Sequence, residues 1–134
     1  MQLNLETDYA IRTLLYLAQK GEKASSGEIS RQMAVPKSMI SKFAAPLQEA
    51  GIMTHLRGAG GGFALCRDPG DISLHEVVNL LEGTTRINRC LEADHFCSRG
   101  AAGTCPVRRF YEQVQSRMEE AFKDKTIASL LGDD

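Results

Sequence analysis

No apolar run in these 134 residues approaches the roughly 20 that a membrane-spanning helix needs, and no basic-then-apolar stretch opens the chain as a signal peptide would. The expectation is a cytoplasmic protein without membrane partners, in a compartment where thiols stay reduced. Enzyme signatures are missing as well. No phosphate-cradling loop, no paired carboxylates in a plausible cleft and no Ser–His–Asp set can be picked out. The three histidines, His55, His75 and His95, are scattered. An enzyme is therefore not expected. Repeats, low-complexity tracts and obvious linkers are lacking too, so the chain reads as one ordinary domain, or a small one with an appendage. Its length is enough to bury a core without disulfide staples. A hydrophobic share of 43% and a charged share of 25% are those of a soluble globular protein.

What is present is unevenly spread. The formal net charge of −1 hides eight Lys/Arg against five Asp/Glu in residues 1–67, and eight against twelve in residues 68–134. A mildly basic first half beside an acidic remainder suits a polyanion-binding module joined to a non-binding one.

Helical spacing of Ala10, Ile11, Leu14, Leu15, Leu17 and Ala18 predicts a helix from Asp8 to Lys20, stopped by Gly21. Ser25-Ser26-Gly27-Glu28 reads as a reciprocal capping box opening a short helix to about Met33. Ala34-Val35-Pro36 makes a tight turn. A further helix follows from Lys37 to Ala50, with Ile40, Phe43, Ala44 and Leu47 on one face and Gly51 at its end. Pro46 inside it is expected to kink or shorten it. Two helices around a tight turn form a helix-turn-helix.

Residues 52–56 and 63–66 then alternate like strands around Arg57-Gly58-Ala59-Gly60-Gly61-Gly62, which predicts a hairpin, and a hairpin in this place is a wing. Ser73 and Glu76 suggest a second capping box for a helix over about 74–81, terminated by Gly83. Cys105-Pro106 opens the last long helix. Its stripe comprises Val107, Phe110, Tyr111, Val114, Met118, Ala121 and Phe122, and Lys125 to Leu131 add a final short turn. The fold class expected is mainly α with a small two-stranded β wing: a winged helix-turn-helix plus a long C-terminal helix.

Two constellations carry chemistry. Cys90, Cys97 and Cys105 gather three thiols in one irregular stretch directly before the long helix. Such a set suits Zn²⁺ or an iron–sulfur cluster, which favour sulfur ligands. It can also be three free thiols. Cys66 lies elsewhere and is expected to pack as a small apolar residue at the wing base. The second constellation is basic and polar. Lys37, Ser38, Ser41 and Lys42 lie on the N-terminal part of the second helix of the helix-turn-helix, where major-groove contacts are made. Ser25, Ser26 and Gly27, at a helix start, suit a phosphate. Arg57, Gly58, Gly60 and Gly61 at the wing tip let backbone and guanidinium approach DNA closely.

The order of these parts resembles a bacterial family of winged helix-turn-helix regulators, the one containing IscR, NsrR, RirA and CymR. The resemblance spans nearly the whole chain. It is carried by Thr7-Asp8-Tyr9-Ala10, Val35-Pro36-Lys37-Ser38, Ala50-Gly51-Ile52, the segment from Arg57 to Gly62, Ile72-Ser73-Leu74 with Val77-Val78, and the three-cysteine loop. It implies a homodimeric transcriptional regulator, taken here as a repressor, on a palindromic operator in double-stranded DNA. Many such proteins carry a [2Fe–2S] or [4Fe–4S] cluster responding to iron, oxidants or nitric oxide.

The resemblance also bears on the fourth ligand. IscR-like members complete the cluster with a histidine three residues after the last cysteine; here that residue is Arg108, which cannot ligate. NsrR-like members use an aspartate of the partner subunit's first helix, and Asp8 stands at the matching position. The competing role for Asp8 is a helix cap, and His95 is a rival ligand. The cysteines are also more widely spaced than is usual in the family, which leaves the cluster type open. The division expected is a DNA-binding domain over 1–83, a cluster loop over 84–105 and a dimerisation helix with tail over 106–134. Two alternatives remain: a cluster-free regulator of the same fold using thiols or a metabolite, and a zinc-containing winged-helix module that binds proteins.

Overall fold

The computed structural model describes residues 2–132. Six helices and one hairpin follow one another: α1 (Leu5–Lys20), α2 (Ser26–Met33), α3 (Lys37–Glu49), β1 (Met53–Leu56), β2 (Gly62–Leu65), α4 (Leu74–Leu81), α5 (Pro106–Lys123) and α6 (Ile127–Gly132). The mainly helical architecture with a two-stranded wing and a long helix near the C-terminus agrees with the sequence reading.

Local chemistry explains most boundaries. Helix α1 begins one turn earlier than the apolar periodicity suggests, with Asn4 at the N-cap, so Asp8 is a first-turn residue and does not cap. Acidic Glu6 and Asp8 there face the positive end of the helix dipole. Gly21, at φ 75°, closes the helix by donating its N–H to the Leu17 carbonyl at 3.0 Å.

The two capping boxes form only by half. Ser25 and Ser73 accept the N–H of Glu28 and Glu76 at 3.1 Å each. The glutamates do not reach back. Glu28 turns to Lys20 and the Tyr16 hydroxyl of α1, and Glu76 to Arg67. In each case a charge-assisted bond to another element replaces a local one.

Helix α3 runs through Pro46 without being shortened. The carbonyl that loses its partner belongs to Lys42, an exposed residue. Val35, placed by sequence in the turn, is fully buried and anchors α3 against the core.

Strands β1 and β2 pair antiparallel, with Met53 opposite Leu65 and Leu56 opposite Gly62. Ala24 adds a bridge to Phe63, with N–H···O bonds of 3.0 and 2.8 Å, tying the wing to the start of α2. The core lies among α1, α2, α3, β1 and α6, with Leu14, Ile29, Ile40, Phe43, Leu47 and Ile127 as its centre. Ile127 of α6 is completely buried, and Thr126 bridges Ser73, so the chain returns to the winged core after α5.

Candidate functional site

The helix-turn-helix and the wing meet at one polar face. Ser38, Ser41, Lys37 and Lys42 are all exposed on the first turns of α3, and Ser41 Oγ donates to the Ser38 carbonyl at 3.2 Å. Ser26 opens α2 beside the capping Ser25. Along the sequence the α2 start and the wing are separate features. The fold brings them together: Ser25, Ser26, His55, Arg57, Gly58 and Gly61 line one cleft of about 280 Å³. Lys23 also bonds the Gly60 carbonyl at the wing tip.

Geometry explains two of the glycines. A Cβ on Gly61 would stand 2.1 Å from the Leu56 carbonyl oxygen, and one on Gly62 would stand 2.5 Å from that of Ala24. The wing therefore folds tightly against itself and the α2 entrance only because these side chains are missing.

Two residues of this face were not singled out from sequence. Arg31 lies with Lys37 above Gly27; a Cβ on that glycine would be 3.3 Å from Arg31 Nη1 and 3.7 Å from Lys37 Nζ. The four-residue spacing of Gly27 and Arg31 on a helix was the available signal. His55 stacks on Phe63 across the hairpin, ring centroids 4.5 Å apart. No local pattern in the sequence announces that pair.

The three cysteines, separate in sequence, converge. Cys90, Cys97 and Cys105 all line one cavity of about 370 Å³, together with Phe96, Arg108 and Tyr111. Each thiol is half-buried. Asn88 Nδ2 donates to Cys90 Sγ at 3.3 Å, and Cys105 occupies the N-cap of α5. Backbone N–H groups of Ala101 and Arg99 hold the Cys97 thiol below its ordinary pKa; burial opposes this, and the Arg99 charge adds to the lowering.

The set thus fits a soft metal centre by donor chemistry and by common access to one cavity. Among the described residues, however, no three His, Cys, Asp or Glu side chains stand close enough together to hold a metal ion.

The remaining candidates are placed clearly. Asp8 pairs with Arg12 at 2.7 Å, and Arg12 also donates to the Met33 carbonyl at 3.3 Å and packs over Tyr9. His95, at φ 51°, takes a bond from Arg108 Nη2 at 2.7 Å through Nδ1. Cys66 is exposed, contrary to its expected packing: its N–H still bonds the Ile52 carbonyl at 2.9 Å, and strand alternation after the buried Phe63 puts its side chain on the outer face.

The long helix has a surprising interior. Its buried residue is Gln115, at 3% exposure, whose amide pairs with the Ile87 N–H at 2.9 Å and the Thr85 carbonyl at 3.0 Å. Phe110 and Val107 of the apolar stripe remain 59% and 51% exposed.

A family model described as "Rrf2: Iron-dependent Transcriptional regulator" matches residues 3–133. The chain is 34% identical over 123 residues to "Protein aau3" of Rhizobium meliloti, covering 86% of this chain and 80% of that protein. It is also 34% identical over 96 residues to "HTH-type transcriptional regulator NsrR" of Bacillus subtilis, covering 70% and 66%. Among solved structures, CymR of B. subtilis superposes with a TM-score of 0.81 at 20% identity, covering 100% of this chain and 98% of CymR. IscR of T. potens gives 0.75 at 24%, covering 99% and 88%. These two likenesses speak for the fold.

Proposed function

The chain belongs to the Rrf2 family of DNA-binding transcriptional regulators, and on that premise we propose that it is a homodimeric repressor whose operator binding is controlled by an iron–sulfur cluster. The observation that carries this reading is the convergence of Cys90, Cys97 and Cys105 on one cavity. These three would hold the cluster, with Asp8 of the partner subunit as the fourth ligand. When bound, the cluster supplies iron–sulfide chemistry that iron shortage, oxidants or nitric oxide can undo.

The protein's own residues connect such a site to DNA. Arg12 bonds both Asp8 and the Met33 carbonyl at the end of α2. A change in the company of Asp8 therefore reaches the turn that sets α3. Ser26, Lys37, Ser38, Ser41, Lys42 and Arg57 contact backbone phosphates or base edges, with Gly58, Gly60 and Gly61 allowing the wing to approach closely. The exposed stripe of α5 supports a two-fold dimer, which matches a palindromic operator. Such a regulator works in the cytoplasm and catalyses no reaction.

The test is anaerobic purification with a visible spectrum and iron and sulfide analysis, repeated on Cys97→Ala and Asp8→Ala. A coloured parent and a colourless Cys97→Ala protein are expected. A colourless parent whose DNA binding ignores chelators would overturn the cofactor. It would favour the second reading, a cluster-free thiol sensor, for which the lowered pKa of Cys97 speaks. Salt-independent or absent DNA binding would leave the zinc-containing interaction module.

A further inference from the structure

Arg108 occupies the position where a ligating histidine would have stood, and its surroundings give it another task. Its side chain is only 16% exposed, although it carries a full charge. The guanidinium lines the same cavity as the three cysteines. Nε donates to the Cys90 carbonyl at 3.2 Å, Nη2 to His95 at 2.7 Å, and Nη1 makes a long contact of 3.5 Å to the Ala102 carbonyl. Glu112, one turn on, pairs with Nη1 at 3.0 Å.

The three loop contacts fall at residues 90, 95 and 102, so each stretch between successive cysteines is tied to the same fork. Arginine has only donors, arranged in a rigid plane. It can gather carbonyls from different turns of a loop, and lysine, with one flexible ammonium, reproduces that only in part.

We infer that Arg108 is the positioning residue of the cysteine loop: it frames the three thiols around the cavity and sets a fixed cation beside whatever negative charge they hold. This rests on the reading of Cys90, Cys97 and Cys105 as ligands. Three thiolates around a sulfide-containing centre concentrate negative charge in a partly desolvated site, and a neighbouring cation stabilises the more reduced state. Where the family's histidine would supply a ligand bond, this chain has a donor fork and a charge.

Two measurements on Arg108→Met and Arg108→Lys separate the framing role from the charge. In metal-free protein, amide hydrogen exchange over residues 91–104 reads the frame alone. It is expected to speed up on the order of tenfold in Arg108→Met, and part of the way in Arg108→Lys. In reconstituted protein, the reduction potential and visible circular dichroism read the charge. The potential is expected to fall in Arg108→Met and to stay near the parent value in Arg108→Lys. Unchanged exchange over the loop in Arg108→Met overturns the frame, and an unchanged potential in that variant overturns the cation. If the parent itself takes up no cluster, the proposed function loses its cofactor and the cation role falls with it. The exchange measurement then still decides whether Arg108 frames the loop.

Discussion

At the wing tip a single missing atom decides the backbone path. Gly61 donates its N–H to the Gly58 carbonyl at 3.0 Å and lies so close to the Leu56 carbonyl that no side chain fits. Gly61→Ala is expected to cost about 1–3 kcal/mol, since the clash is with backbone and the hairpin must open. Urea denaturation measures that loss, and operator affinity should fall with it if the wing contacts DNA. The glycine run itself was plain in the sequence. Which glycine is sterically required was not, because the requirement comes from carbonyls that reach Gly61 and Gly62 only after the hairpin pairs and docks on Ala24.

At the scale of an element, α4 shows how a local signal is partly redirected. Ser73 caps it as its position foretold, and Glu76 accepts two bonds from Arg67, at 2.7 and 2.8 Å. Arg67 also donates to the Ala50 carbonyl at 2.7 Å, so the pair joins α4 to the end of α3. The Arg67 bonds hold the Glu76 carboxyl below its ordinary value of 4.5, against a smaller opposing effect of burial. A carboxyl with a depressed folded pKa contributes stability above its unfolded value and loses it as pH falls through the folded one. The urea midpoint of the parent should therefore drop as pH is lowered from neutral to about 3, and Glu76→Gln should lack that part of the drop. Ser73→Ala is expected to remove about 1 kcal/mol at any pH, because the cap it deletes is uncharged.

Across the whole molecule, α5 is unusual in burying a glutamine and exposing aromatic and aliphatic residues. Gln115 pairs with the backbone of residues 85 and 87 and so anchors the segment leading to Cys90. Val107, Phe110 and Val114 of the same helix are exposed to solvent. An exposed stripe of this kind marks an interaction surface. If α5 is the seam of the proposed dimer, Phe110→Glu shifts the protein toward monomer in analytical ultracentrifugation and weakens binding to a palindromic operator at least about tenfold, as loss of one half-site partner demands. A dimer that survives this change, with affinity intact, would remove α5 as the seam.

Helices, hairpin and their order were readable before folding. Caps, turn glycines and apolar spacing act between residues a few positions apart, and those forces are the same before and after folding. Which residues meet across the chain is settled by packing. It sent Glu28 to α1 and Glu76 to Arg67, although both had capping partners nearby. It started α1 at Leu5, left Cys66 exposed and buried the polar Gln115 on the packed face of α5. The same holds for the candidate site. That three cysteines crowd into one stretch was legible; that all three line one cavity together with Arg108 was not. A loop without period carries no directional signal of its own. Its side chains are aimed by the helix it packs on and by the charged group that must be satisfied there.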